Sequence, residues 1–185
     1  MTSRGLFFDY YEGPDGVGAL IFSNAGLKAH ILPSQKRDGI DKIIMNRYSD
    51  CGQESGGPEQ LKRYLFDYFR GVPVNFDSLE LDLDLEGFSD FERMVFGVAQ
   101  TVSYGKVCSY QQIAGEIGRP LACRAVGNAL GKNPIPILIP CHRILRKNGE
   151  VGGFSAGLDW KKKLLELEGA TKSSKDERRT TNGKN

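Results

Sequence analysis

The sequence predicts a mixed α/β (α+β) chain in two parts. A small N-terminal antiparallel sheet with helices is expected over residues 1–87. A mostly helical C-terminal domain containing a helix-turn-helix is expected over 88–169, followed by a disordered basic tail over 170–185. Three observations carry this expectation: period-two apolar runs around a turn signal near the start, apolar residues at helical spacing with good caps after residue 88, and a near-absence of apolar side chains at the end.

The elements follow in order. Leu6 to Tyr11 and Val17 to Ser23 flank Gly13-Pro14-Asp15-Gly16 and read as a hairpin, and Leu27 to Ile31 adds a third strand. Residues 36–48 place Ile40, Ile43, Ile44 and Tyr48 on one helical face. Cys51 to Pro58 is polar and rich in glycine, hence a loop. Glu59 to Arg70 is an amphipathic helix with Leu61, Tyr64, Leu65, Tyr68 and Phe69 on one side and Gly71 as its stop. Leu79 to Glu86 alternates leucine with acid, as an extended segment with its leucines on a core and its acids in water would.

Ser89 caps a helix running from about Asp90 to Val102. Ser109 caps another, with Ile113, Ala114 and Ile117 inward and Gly118 at its end. Arg119-Pro120 forces a turn, and a second helix follows from about Leu121 to Leu130. Its outer surface carries Ala122, Cys123, Ala125 and Gly127, all small, with Arg124 the one long side chain among them. A major-groove reader offers several long polar side chains. A smooth helix with a single cation suits the narrower minor groove, where one side chain can hold the place of an extruded base. Small residues also serve close helix packing. A last helix spans Leu158 to Glu168 and ends at Gly169.

Charge is distributed unevenly along the 185 residues, whose net charge is +2. Residues 76–92 hold seven acidic side chains and no basic one, whereas 102–149 hold seven basic side chains against Glu116 alone. The basic stretch is suited to a polyanion, although two solvated faces of opposite sign would look the same. No apolar stretch is long enough to cross a bilayer, and no signal peptide is evident, so a cytoplasmic location is expected, nucleoid-associated in a prokaryote. Cys51, Cys108, Cys123 and Cys141 form no Cys-x-x-Cys pair, and only His30 and His142 are available beside them. Neither a disulfide framework nor a metal site is expected.

The chemistry concentrates at one cysteine. Ile135-Pro136-Ile137-Leu138-Ile139-Pro140 is an apolar run that would carry Cys141 to the floor of a pocket. Buried cysteines are commonly inert. Here His142 and Arg143 follow directly, and a base or cation favours the nucleophilic thiolate. Asn133-Pro134 joins the second helix of the helix-turn-helix to this run. Gly152-Gly153-Phe154-Ser155-Ala156-Gly157 lacks the Gly-Lys-Ser/Thr of a phosphate cradle and reads as a wall over the pocket.

Taken together, Ser109-Tyr110-Gln111-Gln112-Ile113-Ala114, Arg124-Ala125-Val126-Gly127, Asn133-Pro134, Ile139-Pro140-Cys141-His142-Arg143 and Leu164-Leu165-Glu166-Leu167-Glu168-Gly169 occur in one order. The chain resembles the methylated-DNA–protein-cysteine methyltransferases, the O6-alkylguanine-DNA alkyltransferase family, in detail over about residues 88–169 and in outline before that. The resemblance implies repair of double-stranded DNA carrying alkylated bases, by irreversible transfer of the alkyl group to the protein itself, with no cofactor. It implies a monomer with no membrane partner. Cys141 is then the alkyl acceptor, His142 its water-linked base, Glu168 the carboxylate that orients His142, and Asn133 the hinge. Tyr110 assists nucleotide rotation and the leaving guanine, and Arg124 is the intercalating finger. Ala122, Ala125 and Gly127 face the minor groove, Gln111 and Lys147 meet phosphates, and Phe154 and Ser155 wall the pocket. Phe154 is often tyrosine in the family and Cys123 commonly alanine. Activity on O4-alkylthymine is left open. The alternative reading is a non-catalytic lesion-binding alkyltransferase-like protein, in which another residue replaces the cysteine. Cys141 argues against it.

Overall fold

The computed structural model describes residues 5–52 and 56–170. Apart from Ala170, the basic tail lies outside the described residues. The chain divides into two compact units. One takes in the chain to Gly87 together with Pro134–Pro136, and the other comprises Phe88–Asn133 and the chain from Ile137 onward.

The first unit is built on a four-stranded sheet of order β3-β2-β1-β4. Strands β1 (Leu6–Gly13), β2 (Gly16–Ser23) and β3 (Gly26–Ser34) form an antiparallel meander. The first hairpin closes on the pair Gly13 and Gly16, with Pro14-Asp15 as its two-residue loop. Gly16 has φ 110°, a conformation open to glycine. Gly26 has φ 129°, and a Cβ there would lie 2.2 Å from the Asp82 carbonyl oxygen. Segment 79–86 therefore passes directly beside β3. It makes a single parallel bridge, Leu27 to Leu83, rather than a ladder.

Helices cover both faces of the sheet, which is why β2 is buried along most of its length. Helix α1 (Arg37–Arg47) packs Ile40 and Ile44 on Ala19, Ile21 and Ala29. Helix α2 (Glu59–Phe69) meets the other side of β1, where Phe69 stacks on Tyr11 and Lys62 pairs with the buried Asp9. Two details differ from the sequence reading. Cys51–Gly52, expected as loop, forms the short strand β4 parallel to β1. Asp84, expected in water with the other acids of its run, is buried and bonded to Ser23 and Lys28. A carboxylate with two such donors can be buried, which alternation alone does not reveal. At the far end of the sheet the buried His30 donates from Nδ1 to the Pro136 carbonyl at 2.7 Å and pairs through Nε2 with the Tyr11 hydroxyl at 2.7 Å.

The second unit is helical. Helix α3 (Asp90–Gln100) begins in a capping box of Ser89 with Glu92, and α4 (Tyr110–Glu116) in one of Ser109 with Gln112. A turn through Gly118, φ 70°, leads to α5 (Cys123–Gly131). That helix starts two residues later than expected. Leu121 stands 98% exposed, because Pro120 and the turn hold it out of the helix. Val126, Ala129 and Leu130 face inward as expected. Two short parallel strands, β5 (Cys108–Ser109) and β6 (Ile144–Leu145), join the start of α4 to the chain leaving Cys141. Helix α6 (Leu158–Leu167) closes the unit.

Candidate functional site

Cys141 opens a 3-10 turn, Cys141–Arg143, at the end of the apolar run. All residues from Ile135 to Ile144 are buried, Cys141 to 4% exposure. Ile137 sits at φ 76°, an uncommon conformation for a β-branched residue. Such strain persists only where the surroundings fix the backbone. Asn133 contributes to that fixing. Its side-chain amide donates to the Ile139 carbonyl at 2.7 Å and to Cys141 Sγ at 2.9 Å. One amide thus spans the start and the end of the run.

Behind the cysteine lies a buried ion cluster. His142 Nε2 is 2.8 Å from Glu168 Oε1. Arg143 grips the same carboxylate with Nε at 2.9 Å and Nη2 at 2.9 Å, and its Nη1 donates to the Val102 carbonyl at 2.6 Å. The Gly105 amide adds a fourth donor to Glu168 at 3.1 Å. Burial would raise the Glu168 carboxyl, but the bonds from His142 and Arg143 outweigh it and hold the carboxyl at about 2. His142 is shifted below the usual histidine value, chiefly by burial, with Glu168 opposing. It is therefore neutral near pH 7 and able to take a proton. With Nε2 committed to Glu168, Nδ1 is the nitrogen through which it would do so.

Burial also pushes the Cys141 thiol up, against the Asn133 hydrogen bond and the charge of Lys161. At rest the sulfur is a thiol. Its nucleophilic form requires a base at the moment of reaction, rather than a standing thiolate.

An open pocket of about 710 Å³ lies on the surface of this unit. Its lining brings together Tyr110, Gln111, Arg124 and Gly127 from α4 and α5 with Lys147, Phe154 and Ser155 from the loops after β6. Ala122 and Ala125 are not in that wall. Ala122 is half-buried as the N-cap of α5, and Ala125 is exposed on the helix. Tyr110 links pocket and cysteine: it lines the pocket and its hydroxyl is pushed up by burial and by Cys141. Gly152 is required beneath it, since a Cβ there would lie 2.3 Å from the Tyr110 oxygen. A Cβ at Gly127 would meet the Tyr110 ring only at 3.7 Å, ordinary contact. Among the described residues, nothing demands a glycine at 127.

Sequence reasoning missed the roles of four residues. Arg143 holds Glu168 as firmly as His142 does, a role its place beside His142 could have suggested. Asn128 and Arg146 also line the pocket. Lys161 is fully buried, and its helical register with Leu164, Leu165 and Glu168 was the available signal. Among the described residues no group of three or more His, Cys, Asp or Glu side chains could hold a metal ion, and no helix is long and apolar enough to cross a membrane.

Comparison with known proteins bears on the same region. Residues 90–170 match the family model described as 6-O-methylguanine DNA methyltransferase, DNA binding domain. A methylated-DNA–protein-cysteine methyltransferase of Mycolicibacterium paratuberculosis is 46% identical over 114 residues, 62% of this chain and 64% of that protein. The chain therefore spans slightly under two thirds of that relative. The Metallosphaera sedula protein of the same name is 40% identical over 134 residues, 70% of this chain and 82% of its own. Among solved structures, the Mycobacterium tuberculosis OGT in complex with DNA superimposes with a TM-score of 0.72 at 32% identity, covering 89% of this chain and 93% of that one.

Proposed function

Since the chain belongs to the methylated-DNA–protein-cysteine methyltransferase family, we propose that it repairs DNA by moving the alkyl group of O6-alkylguanine onto Cys141. The observation that carries this reading is the join of Asn133, Cys141, His142 and Glu168 in one buried constellation beside a pocket lined by Tyr110 and Arg124.

The step balances without a cofactor. His142 takes the Cys141 proton at Nδ1, directly or through water, while Glu168 and Arg143 hold the ring and compensate its charge. The thiolate attacks the alkyl carbon, a C–S bond forms, and the C–O6 bond breaks with its electron pair leaving on guanine. Tyr110 supplies the proton that neutralises the guanine anion. The product is a thioether, which has no easy route back, so each molecule acts once.

Arg124, exposed on α5 at the pocket rim, fills the stack when the damaged nucleotide turns out of the duplex. Ala122, Ala125 and Gly127 keep the helix surface low enough for the minor groove. Gln111 and Lys147 meet phosphates, and Phe154 and Ser155 close over the base. All of this lies in the C-terminal part. The protein works as a monomer in the cytoplasm, where thiols stay reduced.

The test is incubation with duplex DNA bearing O6-[methyl-labelled]guanine, followed by peptide mapping. One equivalent of label on the Cys141 peptide is expected. Turnover beyond one equivalent, or label on Cys51, Cys108 or Cys123, sinks the reading. The lesion-binding alternative requires tight binding with no label at all.

A further inference from the structure

Lysine is rarely fully buried unless paired. Lys161 is at 0% exposure in α6, and among the described residues no carboxylate pairs with it. Its Nζ donates to the Ile144 carbonyl at 2.7 Å, lies 3.4 Å from the Gly153 carbonyl, and stands 5.7 Å from the centre of the Tyr110 ring. These three partners surround the acceptor. Ile144 leaves the Cys141–Arg143 turn, Gly153 belongs to the pocket wall, and Tyr110 lines the pocket. Burying an ammonium among carbonyls costs free energy, and an apolar side chain of similar length would avoid that cost. Burial lowers the ammonium to about 8, opposed by the Cys141 sulfur, so most of the charge survives at neutral pH.

We propose that Lys161 is a positioning residue for alkyl transfer, whose buried ammonium, fixed on the carbonyls of Ile144 and Gly153 and over the Tyr110 ring, supplies the positive charge against which the Cys141 thiolate forms. The other charged and titratable groups around this point do not substitute for it. The Glu168 carboxylate is already matched by Arg143. His142 is neutral, and Lys161 itself disfavours a proton there. Arg146, which acts on Tyr110, is exposed. After the Asn133 hydrogen bond, the charge of Lys161 also works against the rise that burial imposes on the Cys141 thiol.

The proposal rests on Cys141 being the acceptor, and the experiment separates the two. The full chain, Lys161→Met and Lys161→Arg are compared in methyl transfer from O6-methylguanine DNA across pH, and in iodoacetamide labelling of the Cys141 peptide. If the unsubstituted chain takes no methyl label, the functional reading has failed. If it does, Lys161→Met should slow labelling of the Cys141 peptide at pH 7 by about ten-fold, as loss of one neighbouring charge does. Transfer at pH 7 should fall by a similar factor, and both losses should close well above pH 8, where Lys161 is itself neutral, while Lys161→Arg keeps the rates at pH 7. A lysine that only fills space gives a loss equal at every pH, or no loss, and either result overturns the proposal. Should Lys161→Met not fold, the native chain carries the test. Its Cys141 labelling should rise by less than about ten-fold per pH unit around pH 8, as Lys161 gives up its charge, and a steady rise of about ten-fold per unit overturns the proposal.

Discussion

Each unit of the protein buries one histidine, and the two are used in opposite ways. His30 spends both ring nitrogens on neutral partners, the Tyr11 hydroxyl and the Pro136 carbonyl. Its proton positions are committed to holding residues 134–136 against the sheet. His142 spends Nε2 on a carboxylate that Arg143 also grips, and adjoins Cys141, the proposed acceptor. Burial lowers both, yet Glu168 opposes that at His142, whereas His30 has only a carbonyl to help it and falls to about 4. The difference teaches what separates a structural from a reactive histidine. Burial is common to both, and what distinguishes His142 is the compensated charge at Nε2, which suits it to the proton transfer proposed for Nδ1.

The sharpest way to break the comparison is to remove the chemistry of the second unit. Cys141→Ser should abolish transfer while leaving DNA binding intact, because a serine hydroxyl is barely ionised near neutral pH. Retained transfer would relocate the acceptor. His142→Ala should come next, slowing transfer by about 10²–10⁴-fold, the range for loss of a general base. Single-turnover kinetics on O6-methylguanine DNA would show it. A loss under a few-fold would reduce His142 to packing.

Arg124 sharpens the comparison from the outside of the same unit. Arg124→Ala should slow repair of duplex DNA by roughly 10–100-fold, since unstacking a base costs a few kcal/mol. Reaction with free O6-benzylguanine should be unchanged, because a free base needs no turning out. Equal losses on both substrates would contradict the finger role.

Most of the reactive unit was legible because local signals and chemistry coincide there. Ser89 and Ser109 cap as read, and Asn133 is bonded to the cysteine it precedes by eight residues. The resemblance supplied what spacing could not, above all that Glu168 reaches His142 across 26 residues. What stayed hidden depends on partners distant in sequence. Asp84 reads as one more solvated acid until Ser23 and Lys28 arrive. Lys161 reads as one of three consecutive lysines until the Ile144 carbonyl turns it inward. His30 offers no motif, since a phenol 19 residues away and a carbonyl 106 residues away define it.

The last prediction isolates His30, where the expected effect on transfer is smallest. Its value falls from the ordinary 6.5 unfolded to about 4 folded, so between those two values the unfolded chain binds more protons than the folded one. Stability then rises with pH, and the contribution of neutral His30 is fully present above about 6.5 and gone below about 4. Two and a half units correspond to roughly 3 kcal/mol across that window. His142 is shifted in the same direction and adds to the slope. Urea unfolding of the native chain should show stability dropping as pH falls from 7 to 4. His30→Phe should be less stable at pH 7, having lost the bond to Pro136, but its slope over the window should be visibly flatter, the remainder coming from His142 and, toward pH 4, from Glu92 and Glu168, whose carboxyls are held at about 2. At pH 7.5, in the cold and below its unfolding transition, the same variant should still transfer methyl groups within a few-fold of the native rate. A variant whose slope is unchanged would remove His30 as the titrating group. One that folds and yet loses transfer a hundred-fold would mean that the clamp on residues 134–136 sets the reactive geometry, and that the two histidines differ less than their partners suggest.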